Sequence, residues 1–107
     1  MLRTLSGAGT SVKIISDTEI LHASKEIAEA LNVLGCVCFE FIRSTDGRLY
    51  FMECNPRFSG GIAFSCEAGY DCVINHIRCY CNESIDGFDL SHELYIARKY
   101  IECITKS

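Results

Sequence analysis

Tyr50-Phe51-Met52-Glu53-Cys54-Asn55-Pro56-Arg57-Phe58-Ser59-Gly60-Gly61 decides how the rest of this chain is read. The run opens as an apolar strand and then sets a carboxylate, an amide and a guanidinium at alternate positions. Strand side chains alternate faces, so Glu53 and Asn55 share one face, with Arg57 just beyond it if the extended path continues. Carboxylate and amide oxygens side by side suit a hard cation, and a guanidinium beside them suits phosphate.

The segment upstream sharpens this reading. Cys36 to Ile42 reads as a buried strand interrupted by one charge, Glu40, and Thr45-Asp46-Gly47-Arg48 lies between the two strands. Asp-Gly is a strong signal for a two-residue hairpin turn. With Asp46 and Gly47 as the loop, Thr45 pairs with Arg48, and counting back sets Glu40 directly opposite Glu53. A longer loop shifts the register by one and breaks the count. Like charges so opposed destabilise a hairpin unless a proton, a basic partner or a metal ion intervenes.

Glu40 followed by Glu53-x-Asn55-Pro56-Arg57 resembles the metal-binding end of the ATP-grasp fold, shared by carbamoyl-phosphate synthase large chain, biotin carboxylase and D-alanine–D-alanine ligase. Phe58-Ser59-Gly60-Gly61 and Ala68-Gly69-Tyr70-Asp71 are most similar to the carbamoyl-phosphate-synthase-like branch. The resemblance implies ATP and Mg²⁺ (or Mn²⁺) as cofactors of a ligase working through an acyl-phosphate. It implies that Glu40 holds one ion, Glu53 bridges two and Asn55 completes the second. Arg57 would contact the transferring phosphoryl group, and Ile42 would pack on the adenine ring. As a residue read alone, Ile42 is an ordinary core position.

Composition sets outer bounds. The 107 residues fit one small domain, which buries only roughly 60–65% of its unfolded surface. Apolar residues make up 49% of the chain and mean hydropathy is +0.15, an excess that points to surface covered by a partner. A net charge of −4 without a basic run disfavours nucleic-acid binding. No stretch approaches a membrane span, and Met1-Leu2-Arg3 does not open a signal peptide, so the expected location is cytoplasmic. The eight cysteines contain no C-x-x-C, and the Cys36/Cys38 and Cys79/Cys81 pairs fit neither zinc nor a disulfide scaffold. They read as free, buried small hydrophobes, Cys54 among them.

After a flexible Ser6-Gly7-Ala8-Gly9 lead-in, Thr10 to Ile15 reads as a strand. Ser16 and Glu19 have capping-box spacing, and Ile20, Ala23, Ile27, Ala30, Leu31 and Leu34 recur at helical period up to Gly35. A second helix is predicted from Asp71, with Val73, Ile77, Tyr80 and Cys81 inward. Leu94 to Ile104 reads as a final strand, with a helix nearly as defensible. Gly60-Gly61 reads as a tight turn or a phosphate-approach loop. His22, His76 and His92 read as structural or exposed, and Arg78, Arg98 and Lys99 as solvated. The expected fold is α+β, an antiparallel sheet with flanking helices, resembling the C-terminal half of ATP-grasp over residues 1–107.

Nothing in the chain resembles the lysine-bearing lid of a complete ATP-grasp enzyme. The expectation is therefore a metal- and phosphate-binding half, inactive alone, that meets an N-terminal half or partner chain or forms a homo-oligomer. An excised domain, a truncated gene product and a split subunit all fit. The competing reading is a non-catalytic oligomerisation or docking module derived from such an enzyme.

Overall fold

The computed structural model describes residues 2–3 and 9–106. The expectation for Ser6-Gly7-Ala8 falls outside them. The elements run β1 (Leu2–Arg3), β2 (Gly9–Ile14), α1 (Thr18–Ala30), β3 (Cys38–Arg43), β4 (Leu49–Asn55), α2 (Ile62–Glu67), α3 (Cys72–Tyr80) and β5 (Leu94–Ala97). Among the described residues all strand pairing is antiparallel, in two separate sheets: β1-β2-β5 and the hairpin β3-β4. This is an α+β arrangement of small antiparallel sheets with flanking helices.

Local chemistry explains the helix limits. Asp17, not Ser16, caps α1: its Oδ1 accepts from the Glu19 and Ile20 N–H groups at 3.0 and 3.1 Å. The helix stops before Gly35 because Asn32 takes a left-handed conformation (φ 51°) and the Val33 N–H bonds back to the Ala28 carbonyl. Gly69 and Asn82 end α2 and α3 in the same way. The final strand is short, Leu94–Ala97, and the described residues after it, 98–106, join no sheet.

The inner face of α3 is not the aliphatic one. Val73, Ile77 and Tyr80 are 41–63% exposed, and Cys81 is exposed too. Cys72, Asn75, His76 and Cys79 turn inward instead. Asn75 dictates this orientation, being 4% exposed and satisfied on both sides of its amide. Its Nδ2 donates to the Asp71 carbonyl (2.8 Å) and to Asp86 Oδ2 (3.2 Å), while its Oδ1 accepts the Asp86 N–H (2.7 Å). Burial of a fully bonded amide thus outweighs the aliphatic stripe. Arg78, expected in solvent, pairs with the same Asp86 at 2.8 Å.

The core is thin: among the described residues Phe64, in α2, is the one buried apolar side chain. Arg98, also expected in solvent, lies with its guanidinium 4.7 Å from the Phe64 ring centroid and donates to the Gly60 carbonyl. The chain exposes 8434 Å², about 2,500 Å² more than a compact monomer of 11.9 kDa presents. Its radius of gyration is 15.8 Å, against about 13 Å for a compact domain of this length.

Candidate functional site: the hairpin end

The hairpin loop has three residues, not two. The Ser44 N–H bonds to the Arg48 carbonyl at 2.9 Å, and Gly47 takes φ +86° as the Gly47 N–H closes on the Ser44 carbonyl at 3.0 Å. Arg43, Ile42 and Phe41 therefore pair with Leu49, Tyr50 and Phe51, one residue off the two-residue register. A β-bulge then absorbs Met52 and restores the offset, so Glu40 pairs with Glu53, Phe39 with Cys54 and Cys38 with Asn55. The opposition of the two carboxylates holds, but through two compensating irregularities.

The bulge also sorts the faces. Phe51 packs edge-on against Phe39 (6.0 Å) and Phe41 (5.5 Å), which form the apolar side with Cys54. Glu40, Ile42, Glu53 and Asn55 share the other side. There the Asn55 Nδ2 donates to Glu53 Oε1 at 3.1 Å. Ile42 and its cross-strand partner Tyr50 are about half exposed, beside the carboxylates.

Neither Glu40 nor Glu53 has an ion-pair partner among the described residues. Two opposed, uncompensated carboxylates and an amide form an all-oxygen donor set, the chemistry a hard cation requires. Among the described residues no three His, Cys, Asp or Glu side chains converge on one point, so the set rests on two carboxylates and Asn55. Arg57 is not joined to them: its Nη1 donates to the Phe58 carbonyl at 3.0 Å. Gly60 and Gly61 form the turn that starts α2, with the Gly61 N–H bonded to Ser59 Oγ at 3.2 Å.

Arg43 ties the hairpin to α1, donating to Asp17 Oδ2, Glu19 Oε2 and the Gly47 carbonyl, each at 2.9 Å. The Ile20 N–H first, then the Arg43 guanidinium and the Glu19 N–H, hold the Asp17 carboxyl below its ordinary range. No sequence signal marked Arg43. Asn75 was equally silent, because a buried amide has no periodic signature. The eight cysteines are free, as expected, but none is buried: six, Cys54 among them, are half-buried, and Cys81 and Cys103 are exposed.

Residues 2–97 match the family described as ATP-grasp in the biosynthetic pathway with Ter operon. That span covers nearly the whole chain, which therefore belongs to the ATP-grasp family. It is a ligase-like module of ATP-dependent lineage. Comparison with curated proteins and with solved structures gave no match.

Proposed function

We propose that the hairpin end is the divalent-metal and ATP-phosphate site of a carboxylate ligase. The observation that carries this reading is the Glu40–Glu53 opposition with Asn55 hydrogen-bonded alongside and no neutralising side chain. Mg²⁺ or Mn²⁺ fits an exposed oxygen set of this kind because it keeps several waters and needs few protein ligands. Such an ion supplies charge neutralisation at the phosphates. Glu40, Glu53 and Asn55 would hold and orient it, Ile42 would offer an apolar surface to the adenine, and Arg57, which donates to the Phe58 carbonyl here, would contact the phosphoryl group. The reaction class is carboxylate activation as an acyl-phosphate. Phe58-Ser59-Gly60-Gly61 and Ala68-Gly69-Tyr70-Asp71 favour the carbamoyl-phosphate-synthase-like branch.

The same reading makes this chain one side of a two-sided clamp, inactive alone. Its excess surface exceeds the ~1,200–2,000 Å² that a standard interface buries in total. A lid-bearing half, in a partner chain or elsewhere in a longer protein, or a second copy would cover it. Eight free thiols favour the cytoplasm.

Calorimetric titration with Mn²⁺ and with Mn²⁺–ATP tests the site. E53Q keeps the shape, removes the charge and is expected to weaken metal binding about tenfold or more. Equal affinity in wild type and variant would refute the assignment. ADP release from a monodisperse monomer would refute the dependence on a partner. The docking alternative predicts self-association with no metal binding at all.

A further inference from the structure

Strand β5 forms one side of the three-stranded sheet, with β2 as its one neighbour among the described residues. In the β2–β5 register Ser11 faces Ala97, Val12 faces Ile96 and Lys13 faces Tyr95. The pairing runs one residue further, because the Arg98 N–H donates to the Thr10 carbonyl at 2.8 Å. Antiparallel partners exchange both backbone bonds at alternate positions only. Leu94, Ile96 and Arg98 therefore direct their backbone groups to β2. Tyr95 and Ala97 turn theirs to the open edge, with Glu93 and Lys99 in the same phase on either side.

Side chains follow the same alternation: Leu94, Ile96 and Arg98 are half-buried, and Glu93, Tyr95, Ala97 and Lys99 are exposed. Sheet edges are commonly guarded by charges, proline or a bulge. The stretch Leu94-Tyr95-Ile96-Ala97 has none of these, and Tyr95 is 77% exposed.

We propose that β5 is the interface of a homodimer. The β5 edges of two copies pair antiparallel about a twofold axis at Ile96 and join two three-stranded sheets into one. With the axis there, Tyr95 exchanges both backbone bonds with Ala97 of the second copy, so both outward-facing residues pair within the strand. Ile96 meets its own copy on the axis. At each end Glu93 faces Lys99 of the second copy, an opposite-charge pair that favours this register. Moving the axis to Tyr95 or to Ala97 sets Glu93 against Ala97 or Ile101 instead. Glu93 already holds Lys13 of its own chain at 2.6 Å, while Lys99 has no ion-pair partner among the described residues. This self-complementarity in bonds and charge makes a second copy the occupant. The edge belongs to the other sheet from the carboxylate hairpin, so the pairing is independent of whether that hairpin binds metal.

Sedimentation of the intact chain, in EDTA and a reductant from micromolar to millimolar concentration, tests this alongside amide exchange by NMR. A monomer–dimer equilibrium is expected. The Tyr95 and Ala97 amides gain protection as the dimer populates, whereas those of Ile96 and Arg98 are protected at every concentration. A97P removes an outward N–H and no bond to β2, so association should weaken about tenfold or more with circular dichroism unchanged. K99E opposes like charges at both ends and should weaken association about fivefold. Should A97P not fold, K99E and exchange in the wild type decide. A monomer throughout the series would overturn the proposal, as would unchanged association of folded A97P. So would a dimer whose Tyr95 and Ala97 amides exchange at the monomer's rate, which assigns the interface to another face. Open-ended growth would mean head-to-tail contact instead of a closed pair.

Discussion

His76 Nδ1 accepts the backbone N–H of Cys36 at 2.8 Å, and the intervening Gly35 is what lets the two segments approach so closely. A Cβ on Gly35 would sit 2.5 Å from that same Nδ1, and Gly35 holds φ +83°. Phe58 and Tyr80, each with its ring centroid 5.0 Å from the imidazole, leave it no room to retreat. G35A is therefore expected to destabilise the chain by about 2–4 kcal/mol, from left-handed backbone strain together with the clash. Urea unfolding followed by circular dichroism measures it, and a loss below the noise would show that the imidazole moves freely.

The bulge at Met52 makes an unusual prediction about deletion. With a three-residue loop, removing Met52 brings Glu53 opposite Glu40 in a regular ladder. The deletion variant should fold, keep the cross-strand Glu40–Glu53 proximity by NMR and retain metal affinity within a few-fold. Loss of that proximity would mean that the bulge itself, rather than the count of residues, holds the carboxylates together.

Arg98 joins the end of β5 to the turn before α2, through the Gly60 carbonyl and the Phe64 ring. R98M keeps the apolar stem and loses both interactions. A loss of about 1–2 kcal/mol is expected, read as a lower thermal midpoint with unchanged secondary structure. An unchanged midpoint would mean that the guanidinium is solvated, as its sequence context implied.

Acid sensitivity follows from Asp17 and Asp46. The Ile20 N–H first, then Arg43 and the Glu19 N–H, depress Asp17 below its ordinary 3.8. The Ser44 hydroxyl and the Arg48 N–H do the same for Asp46. A carboxyl depressed in the folded state contributes stability that is complete above its unfolded pKa and lost as pH falls through the lower folded value. Stability should therefore decline below about pH 4, and D17N should flatten that decline while lowering stability at neutral pH. Parallel acid limbs in D17N and wild type would exclude Asp17 as a contributor.

The parts of this fold legible in sequence were those with a local signal. Asp46-Gly47 announced the hairpin, and the alternation of Glu53 and Asn55 announced a polar face. The loop length and the Met52 bulge were not legible separately, because each cancels the other's effect on the distant register. Helix α2 was missed because six residues, Ile62–Glu67, are too few to show a period and Gly61 offers no side-chain cap. The inward face of α3 was misread because hydropathy ranks Val73 and Ile77 above Asn75. Three hydrogen bonds, one to the carboxylate and one from the backbone N–H of Asp86, eleven residues away in sequence, reverse that order.

The pairing of β2 with β5 sets Lys13 opposite Tyr95, a contact roughly eighty residues apart in sequence. The hairpin, whose partners are near neighbours, closes within about 1–10 μs of becoming available. During synthesis at ~5–20 residues per second, β2 waits for about 4–16 s before its partner strand exists. Throughout that interval Gly9–Ile14 has only the short β1 along one edge, and its other edge, where β5 will pair, is open. The growing chain thus carries an open strand edge long after both strands of its carboxylate hairpin have been made. A holding chaperone acting on this protein would have its work at that edge, early in synthesis.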